Sequence, residues 1–328
     1  MSLTEAPHSF KKPSTSEELS APGKVFLCGE YAALAGLPAA VLCLAPRFRA
    51  VKRGPVSGQS FSDFPVRSPV GRLLHWARAF SSDLPELGEF LDPVQGAGGF
   101  GASTAQFILA YTQLARHFQW EMSWQQAWKL YRELMSDEPQ IPSGADLVAQ
   151  ALGGLVVFTS AELKVERLGG AAETQLEASA SLLIFAATNQ AGRKVATHEH
   201  LRMISERQLV TPESEFIKRL ADPLAEALGG LHAGSVSRLG PALTEYAGVL
   251  AAYDLEAPAA RADRLALSQL PGVFGVKGCG AMLADAVMVC VQPDSETRGR
   301  VIQAAQARQL ILVPQPQAAQ AGAAGITG

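Results

Sequence analysis

A glycine-rich run, Gly96-Ala-Gly-Gly-Phe-Gly-Ala-Ser-Thr-Ala105, leads straight into an amphipathic segment and commits this part of the chain to a loop–helix junction. From Thr104 onward, Phe107, Ala110, Tyr111, Leu114 and Phe118 recur at three and four, the spacing of one buried helix face. Glycines let the backbone approach an anion closely, and a helix start offers unpaired N–H groups at the positive end of its dipole. Phosphate is the natural guest, with Gly96, Gly98, Gly99, Gly101, Ala102, Ser103 and Thr104 as the candidate cradle. The alternative is a glycine-rich turn with a simple helix cap. No Gly-Lys-Ser/Thr follows, so the loop is not of Walker A type, and it lacks the acidic residue of a dinucleotide site.

Three further segments carry reactive side chains. Pro142-Ser-Gly-Ala-Asp146 opens a short helix, Leu147 to Leu152, that ends at Gly153-Gly154. Ser143 and Asp146 have the spacing of a capping box, so Asp146 either satisfies helix-end N–H groups or faces a cleft and takes a proton from a substrate hydroxyl. Lys24 begins the short apolar strand that runs to Cys28, and Gly29-Glu30-Tyr31 follows it. Singly, a lysine and a glutamate at strand ends are solvated or turn residues. Together, a lysine, a phosphate-type loop, a hydroxyl for a metal at Ser103 and an aspartate are the parts of phosphoryl transfer.

The rest of the pattern is mixed. A helix is expected after Ser123, striped by Trp124, Ala127, Trp128, Tyr131, Leu134 and Met135, and strands at Leu155 to Thr159 and Leu182 to Ala187. Helices around 198–209, 213–228 and 234–253 and strands at 287–291 and 310–313 follow, which argues for α/β or α+β layers with a boundary near 180. The 328 residues are 48% hydrophobic and 18% charged, outside the profile of disorder. A net charge of −3 with scattered Lys and Arg argues against a nucleic-acid partner, and no apolar run is long enough for a membrane span or signal peptide. A cytoplasmic location is the expectation. The four cysteines have neither CxxC spacing nor clustered His, so they are read as buried thiols.

These segments together resemble the GHMP small-molecule kinases, most closely their mevalonate-pathway branch. Ala21-Pro-Gly-Lys-Val-Phe-Leu-Cys-Gly-Glu-Tyr-Ala-Ala-Leu-Ala-Gly-Leu-Pro-Ala39 is similar to the family's amino-terminal signature. Gly99-Phe-Gly-Ala-Ser-Thr-Ala105 is similar to its GLGSSAA loop, departing at Ala102, and Pro142-Ser-Gly-Ala-Asp146 to its catalytic-aspartate segment. Gly278-Cys-Gly-Ala-Met-Leu-Ala284 matches only the first four positions of the third motif, GAGGGGC, with Lys277 where such chains often carry a basic residue. Lys194-Val-Ala-Thr-His-Glu-His-Leu201 is faintly similar to a segment that lines the substrate cleft.

The resemblance implies an α+β, two-domain GHMP kinase fold. A domain like ribosomal protein S5 domain 2 would span 21–180 and a ferredoxin-like domain 181–314, with flexible ends at 1–20 and 315–328. It implies ATP and Mg²⁺ as cofactors, a small-molecule alcohol as substrate, and a homodimer as an alternative to a monomer. Asp146 would accept the hydroxyl proton, and Lys24 would lower that hydroxyl's pKa and meet the transferred phosphoryl. Ser103 and an acidic residue would hold Mg²⁺; Glu133 is favoured because a helix holds a ligand rigidly, with Asp137 and Glu138 competing. Glu30, Tyr31, Thr197, Gly278 and Gly280 would line the substrate end. Tyr31 is the residue usual in phosphomevalonate kinases, whereas the spacing from Glu30 to Pro38, the wording of Pro142-Ser-Gly-x-Asp and the chain length favour mevalonate. Phosphomevalonate is the alternative substrate, and a non-catalytic nucleotide or metabolite sensor the alternative role.

Overall fold

The computed structural model describes residues 18–51, 58–94, 96, 98–168, 181–187, 197–313, 322–323 and 325–326. The expectations for residues 1–17, the boundary near 180, positions 194–196 and most of the tail lie outside these residues. Leu19 and Ser20, placed by sequence in the flexible start, are instead the first rungs of a strand, paired with Ala50 and Arg49. At the other end Ala323 is buried and donates its N–H to the Gln150 carbonyl, and the Gly322 carbonyl accepts from Arg47.

The first sheet contains β1 (Leu19–Cys28), β2 (Pro38–Val51), β3 (Gln59–Ser60), β4 (Glu89–Leu91), β5 (Leu155–Thr159) and β6 (Lys164–Arg167). Its order is β3-β4-β2-β5-β6, with β1 paired to β2. Pro22 is tolerated inside β1 because β1 has β2 as its partner and an irregularity between Pro22 and Gly23 shifts the register there. Four helices cover this sheet: α1 (Pro69–Phe80), α2 (Ala102–Phe118), α3 (Trp124–Leu134) and α4 (Ala145–Leu152). Ser123 caps α3 as its sequence position predicts, its hydroxyl accepting from the Gln126 N–H at 3.4 Å.

The second sheet is built from β7 (Leu182–Ala187), β8 (Val273–Cys279), β9 (Ala286–Val291) and β10 (Leu310–Leu312), wholly antiparallel in the order β10-β7-β9-β8. Helices α5 (Thr197–Glu206), α6 (Glu215–His232), α7 (Val236–Ala252) and α8 (Pro258–Ser268) lie between β7 and β8, and α9 (Ser295–Ala307) between β9 and β10. That connectivity and strand order are those of a ferredoxin-like β-α-β-β-α-β unit, with extra helices in the first crossover. Both faces of this sheet are buried. Leu183, Phe185, Val287, Val289 and Val291 pack toward Leu267, Val301 and Ala305, while Leu182, Ile184, Met288 and Cys290 join the main core. Burial on both sides is why β9 reads as an unbroken apolar run rather than an alternation. The architecture is α+β in two sheets, as expected. No helix among the described residues is long and apolar enough to cross a membrane.

Candidate active site

The ends of β1, α2 and α4 converge because their polar groups hold one another. Lys24 donates its main-chain N–H to the Phe100 carbonyl at 3.0 Å, fixing the glycine-rich loop to β1. Gln150, fully buried on α4, donates to the Pro22 and Gly101 carbonyls at 2.7 and 3.2 Å and accepts from the Thr104 hydroxyl at 2.5 Å. One side chain thus ties together the strand, the loop and both helices. The Thr104 hydroxyl is committed to this inward network, so only its backbone remains for a phosphate.

The resulting cleft, of about 450 Å³, is lined by the glycine loop and by Lys24, Glu30, Tyr31, Ser103, Asp146, His200 and Asp285. Helix α2 begins after Gly101 at φ 85°, and no side chain caps it, so the N–H groups of its first turn are left for a ligand. All seven predicted cradle residues, Gly96, Gly98, Gly99, Gly101, Ala102, Ser103 and Thr104, line this cleft.

Asp146 lies in the first turn of α4, and the predicted capping box does not form. The Ser143 hydroxyl accepts instead from the Ala145 N–H at 3.3 Å, because the helix starts after Gly144 at φ 73°, one residue later than the box requires. Asp146 Oδ1 accepts from the Leu147 N–H at 3.0 Å, and Oδ2 stands 4.0 Å from the Lys24 ammonium. One oxygen is held by the helix start and the other faces the lysine. The Lys24 side chain is 8% exposed and its ammonium lies 4.8 Å from the Phe26 ring centroid, so the pair acts in a poorly solvated setting where charge is strongly felt.

A second ion pair joins the two sheets. Glu30, just after β1, lies 2.5 Å from the fully buried Lys277 of β8. Burial opposes the charge on Lys277, but the Glu30 carboxylate beside it outweighs burial and holds the ammonium above its usual pKa. Tyr31 follows Glu30 into the core, its hydroxyl 2.9 Å from His200 Nε2. Burial and the Glu30 charge push its pKa up and keep the phenol protonated. The four cysteines are buried, as expected, and burial lifts the Cys28 thiol to about 12 and Cys279 to about 11.

The metal carboxylate expected from sequence requires correction. Glu133 is exposed on the far side of α3, in a separate hollow with Trp76, Trp120 and Lys129, while Tyr131 is the residue of that helix that reaches the cleft. Asp137 and Glu138 are both paired with Arg72, away from the cleft. The carboxylate that does approach the glycine-rich loop is Asp285, which follows Gly278–Ala284. A side chain at Gly98, Gly99 or Gly280 would collide with it: a Cβ there would lie 2.2, 2.8 or 2.0 Å from Asp285 atoms. Ser103 with Asp285 and Asp146 gives a set of hard oxygen donors on one cleft, which suits Mg²⁺.

Of the expected substrate residues, Glu30, Tyr31 and Gly280 line the cleft. Gly278 does not; it is packed beneath the following turn, where a Cβ would meet the Leu283 carbonyl at 2.3 Å. Thr197 opens α5, and its side chain lies outside the described residues. In that turn Met282 and Leu283 take φ 49° and 58°, the left-handed backbone that glycine adopts freely and other residues rarely do. Sequence reasoning missed Gln150, His200 and Asp285. Gln150 carried a signal as a polar residue one turn after Asp146 in an otherwise apolar helix, and His200 as a member of the Lys194–Leu201 segment.

No family model and no curated protein matches the sequence. Solved structures do. Methanococcus jannaschii mevalonate kinase aligns with a TM-score of 0.65 at 12% identity, over 92% of this chain and 98% of that one. Streptococcus pneumoniae phosphomevalonate kinase, in complex with phosphomevalonate and AMPPNP, aligns at 0.65 and 14% identity, over 91% and 99%. Lactococcus lactis galactokinase complexed with galactose aligns at 0.66 and 13% identity, over 95% of each. These neighbours are GHMP kinases of different substrates. With its two sheets, its glycine loop at the start of α2 and its Lys24–Asp146 pair, this chain has the GHMP kinase fold.

Proposed function

We propose that the chain is an ATP-dependent kinase that transfers the γ-phosphate to the hydroxyl of a small alcohol, with mevalonate as the acceptor. The observation that carries this reading is Asp146 Oδ2 facing the Lys24 ammonium at 4.0 Å, in the cleft that the uncapped start of α2 enters. The glycine loop and the first N–H groups of α2 bind the phosphates of ATP. Asp146 accepts the proton of the acceptor hydroxyl, and Lys24 stabilises the alkoxide character and the incoming phosphoryl. Burial of Lys24 strengthens both effects, since little water screens it.

Mevalonate is favoured over phosphomevalonate because, among the described residues, Lys24 is the one cation of the cleft wall, whereas a second phosphate would need further cationic partners. A coupled ADP-release assay offering mevalonate, phosphomevalonate, diphosphomevalonate, homoserine and galactose tests this. The highest kcat/KM is expected with mevalonate. Silence with every acceptor would leave a nucleotide or metabolite sensor as the better reading.

Magnesium, when bound, neutralises charge on the transferring phosphoryl group. Ser103 and Asp285 would hold it. A carboxylate pressed against a phosphate loop repels a triphosphate unless a cation stands between them, and Asp285 occupies that position. Asp285→Asn is expected to raise the Mg²⁺ concentration needed for half-maximal ATP binding by about 10-fold, the lower end of what a metal-site residue contributes. Glu133→Gln should leave it within about twofold, a difference of ~0.4 kcal/mol. A fluorescent ATP analogue titrated against Mg²⁺ reads both variants, and the opposite ranking would return the ligand to α3.

A further inference from the structure

Strand β10 belongs to the second sheet, yet residues 322–323 and 325–326 lie on the two helices whose starts form the site. Helix α4 ends at Leu152, so the carbonyls of its last turn have no partner within the helix. One of them, the Gln150 carbonyl, accepts from the Ala323 N–H at 2.8 Å. Gly322 sits directly on the same helix end, where a Cβ would lie 1.9 Å from the Ala151 carbonyl oxygen. Its own carbonyl accepts from Arg47 Nη2 at 2.9 Å, and the same guanidinium donates to the Ser20 hydroxyl and carbonyl of β1 at 2.9 and 3.2 Å. Gly325 lies on α2, where a Cβ would stand 2.9 Å from Arg116 Nη2 and 3.1 Å from Thr112 Cγ2. Ile326 packs against the main core.

The residue held by Ala323 is the one whose side chain holds the site. Gln150 donates to the Pro22 and Gly101 carbonyls and accepts from Thr104, so its main chain and its amide are gripped from opposite ends. Arg47 and Gln150 also hold β1 at Ser20 and Pro22, on the approach to Lys24. The segment thus touches α2 and α4 directly and β1 through Arg47, the three elements that converge on the cleft. None of its four described residues lines that cleft, so any effect on the site must pass through Gln150 and Arg47. Displacements well below 1 Å are enough to spoil hydrogen bonds that preorganise a phosphate cradle.

We propose that residues 322–323 and 325–326 form a positioning strap, in which Gly322 and Ala323 fix the Gln150 main chain and thereby set the glycine loop and Lys24 for the nucleotide phosphates. This inference rests on the kinase reading above. A segment that only stabilised the fold would lower the melting temperature and leave nucleotide affinity unchanged in the folded enzyme.

The test measures affinity for a fluorescent ATP analogue with Mg²⁺, well below the lowest melting temperature, in the parent and in four altered chains. Ala323→Pro removes the N–H that Gln150 accepts from, Ala323→Gly keeps it, Gly322→Val collides with the Ala151 carbonyl, and the fourth chain stops at Gln320. Affinity should fall by about 10-fold in the stopped chain, in Ala323→Pro and in Gly322→Val, a coupling of ordinary size between distant groups. Ala323→Gly should stay within about twofold of the parent. In a Gln150→Met background, which lacks the side-chain amide, stopping at Gln320 should cost less than about twofold further, because the two changes act through one residue. Parental affinity in a folded stopped chain, equal losses in Ala323→Pro and Ala323→Gly, or an undiminished 10-fold loss in the Gln150→Met background overturns the inference while the kinase reading stands. Should the stopped chain fail to fold, the two Ala323 variants decide alone. Absence of nucleotide binding by the parent overturns the kinase reading and this inference with it.

Discussion

Asp146→Asn is expected to lower kcat by about 10²–10⁴, the usual contribution of a positioned proton acceptor, with little change in melting temperature or ATP affinity. The expectation of intact folding comes from the helix start. Asp146 Oδ1 accepts from the Leu147 N–H, and the asparagine carbonyl can take the same bond, since Asn serves at helix starts about as well as Asp. What the substitution removes is the oxygen that faces Lys24. Lys24→Met should produce a comparable loss, and the double variant should be little worse than either single one, because residues acting on one hydroxyl are not additive. Steady-state kinetics with thermal melting decide the matter. An Asp146→Asn enzyme keeping more than about a tenth of parental kcat would reduce the residue to a helix-start group.

The second large effect is expected at Gly101, where conformation and contact act together. Its φ of 85° disfavours any side chain, and a Cβ there would lie 2.8 Å from Lys24 Cγ and 2.9 Å from both Lys24 Cε and Gln150 Nε2. Gly101→Val therefore strains the backbone by ~1–3 kcal/mol and pushes on the lysine and on the glutamine that ties the loop to β1 and α4. We expect kcat/KM for ATP to fall by at least about 100-fold, equivalent to ~2.7 kcal/mol, together with a lower melting temperature. Gly96→Ala is the control. Gly96 has a similar φ of 79° but nothing within 4 Å of a Cβ, so it carries the strain without the collision. It should stay within about threefold of the parent, ~0.65 kcal/mol. Equal losses at both positions would mean that backbone strain alone, and not contact with Lys24, sets the effect.

The two halves of the molecule were unequally legible from sequence. Strand Leu182–Ala187 and helices α2 and α3 are visible in their periodicity, whereas α1, α8 and α9 lie outside the helices expected from sequence. The start of α1 did carry a local mark, Ser68 with Pro69 at the first position, and Ser68 does accept from the Gly71 N–H. Its stripe is obscured in sequence by the preceding segment, rich in Gly, Pro and Ser, which reads as loop.

Local chemistry along the chain was enough to determine the loop–helix junction at Gly96–Thr104, the aspartate at the opening of α4 and the lysine of β1, because each depends on residues a few positions apart. Which carboxylate faces the glycine-rich loop was decided only by tertiary packing. Tyr131 and Glu133 lie about 200° apart around α3, at roughly 100° per residue, so once Tyr131 turns inward Glu133 must point away. Asp285 reaches the loop because β8 and β9 bring the third motif against it, and His200 meets Tyr31 across 169 residues of sequence. No short-range pattern encodes such meetings, since they depend on how the two sheets and their helices bury their apolar faces against one another.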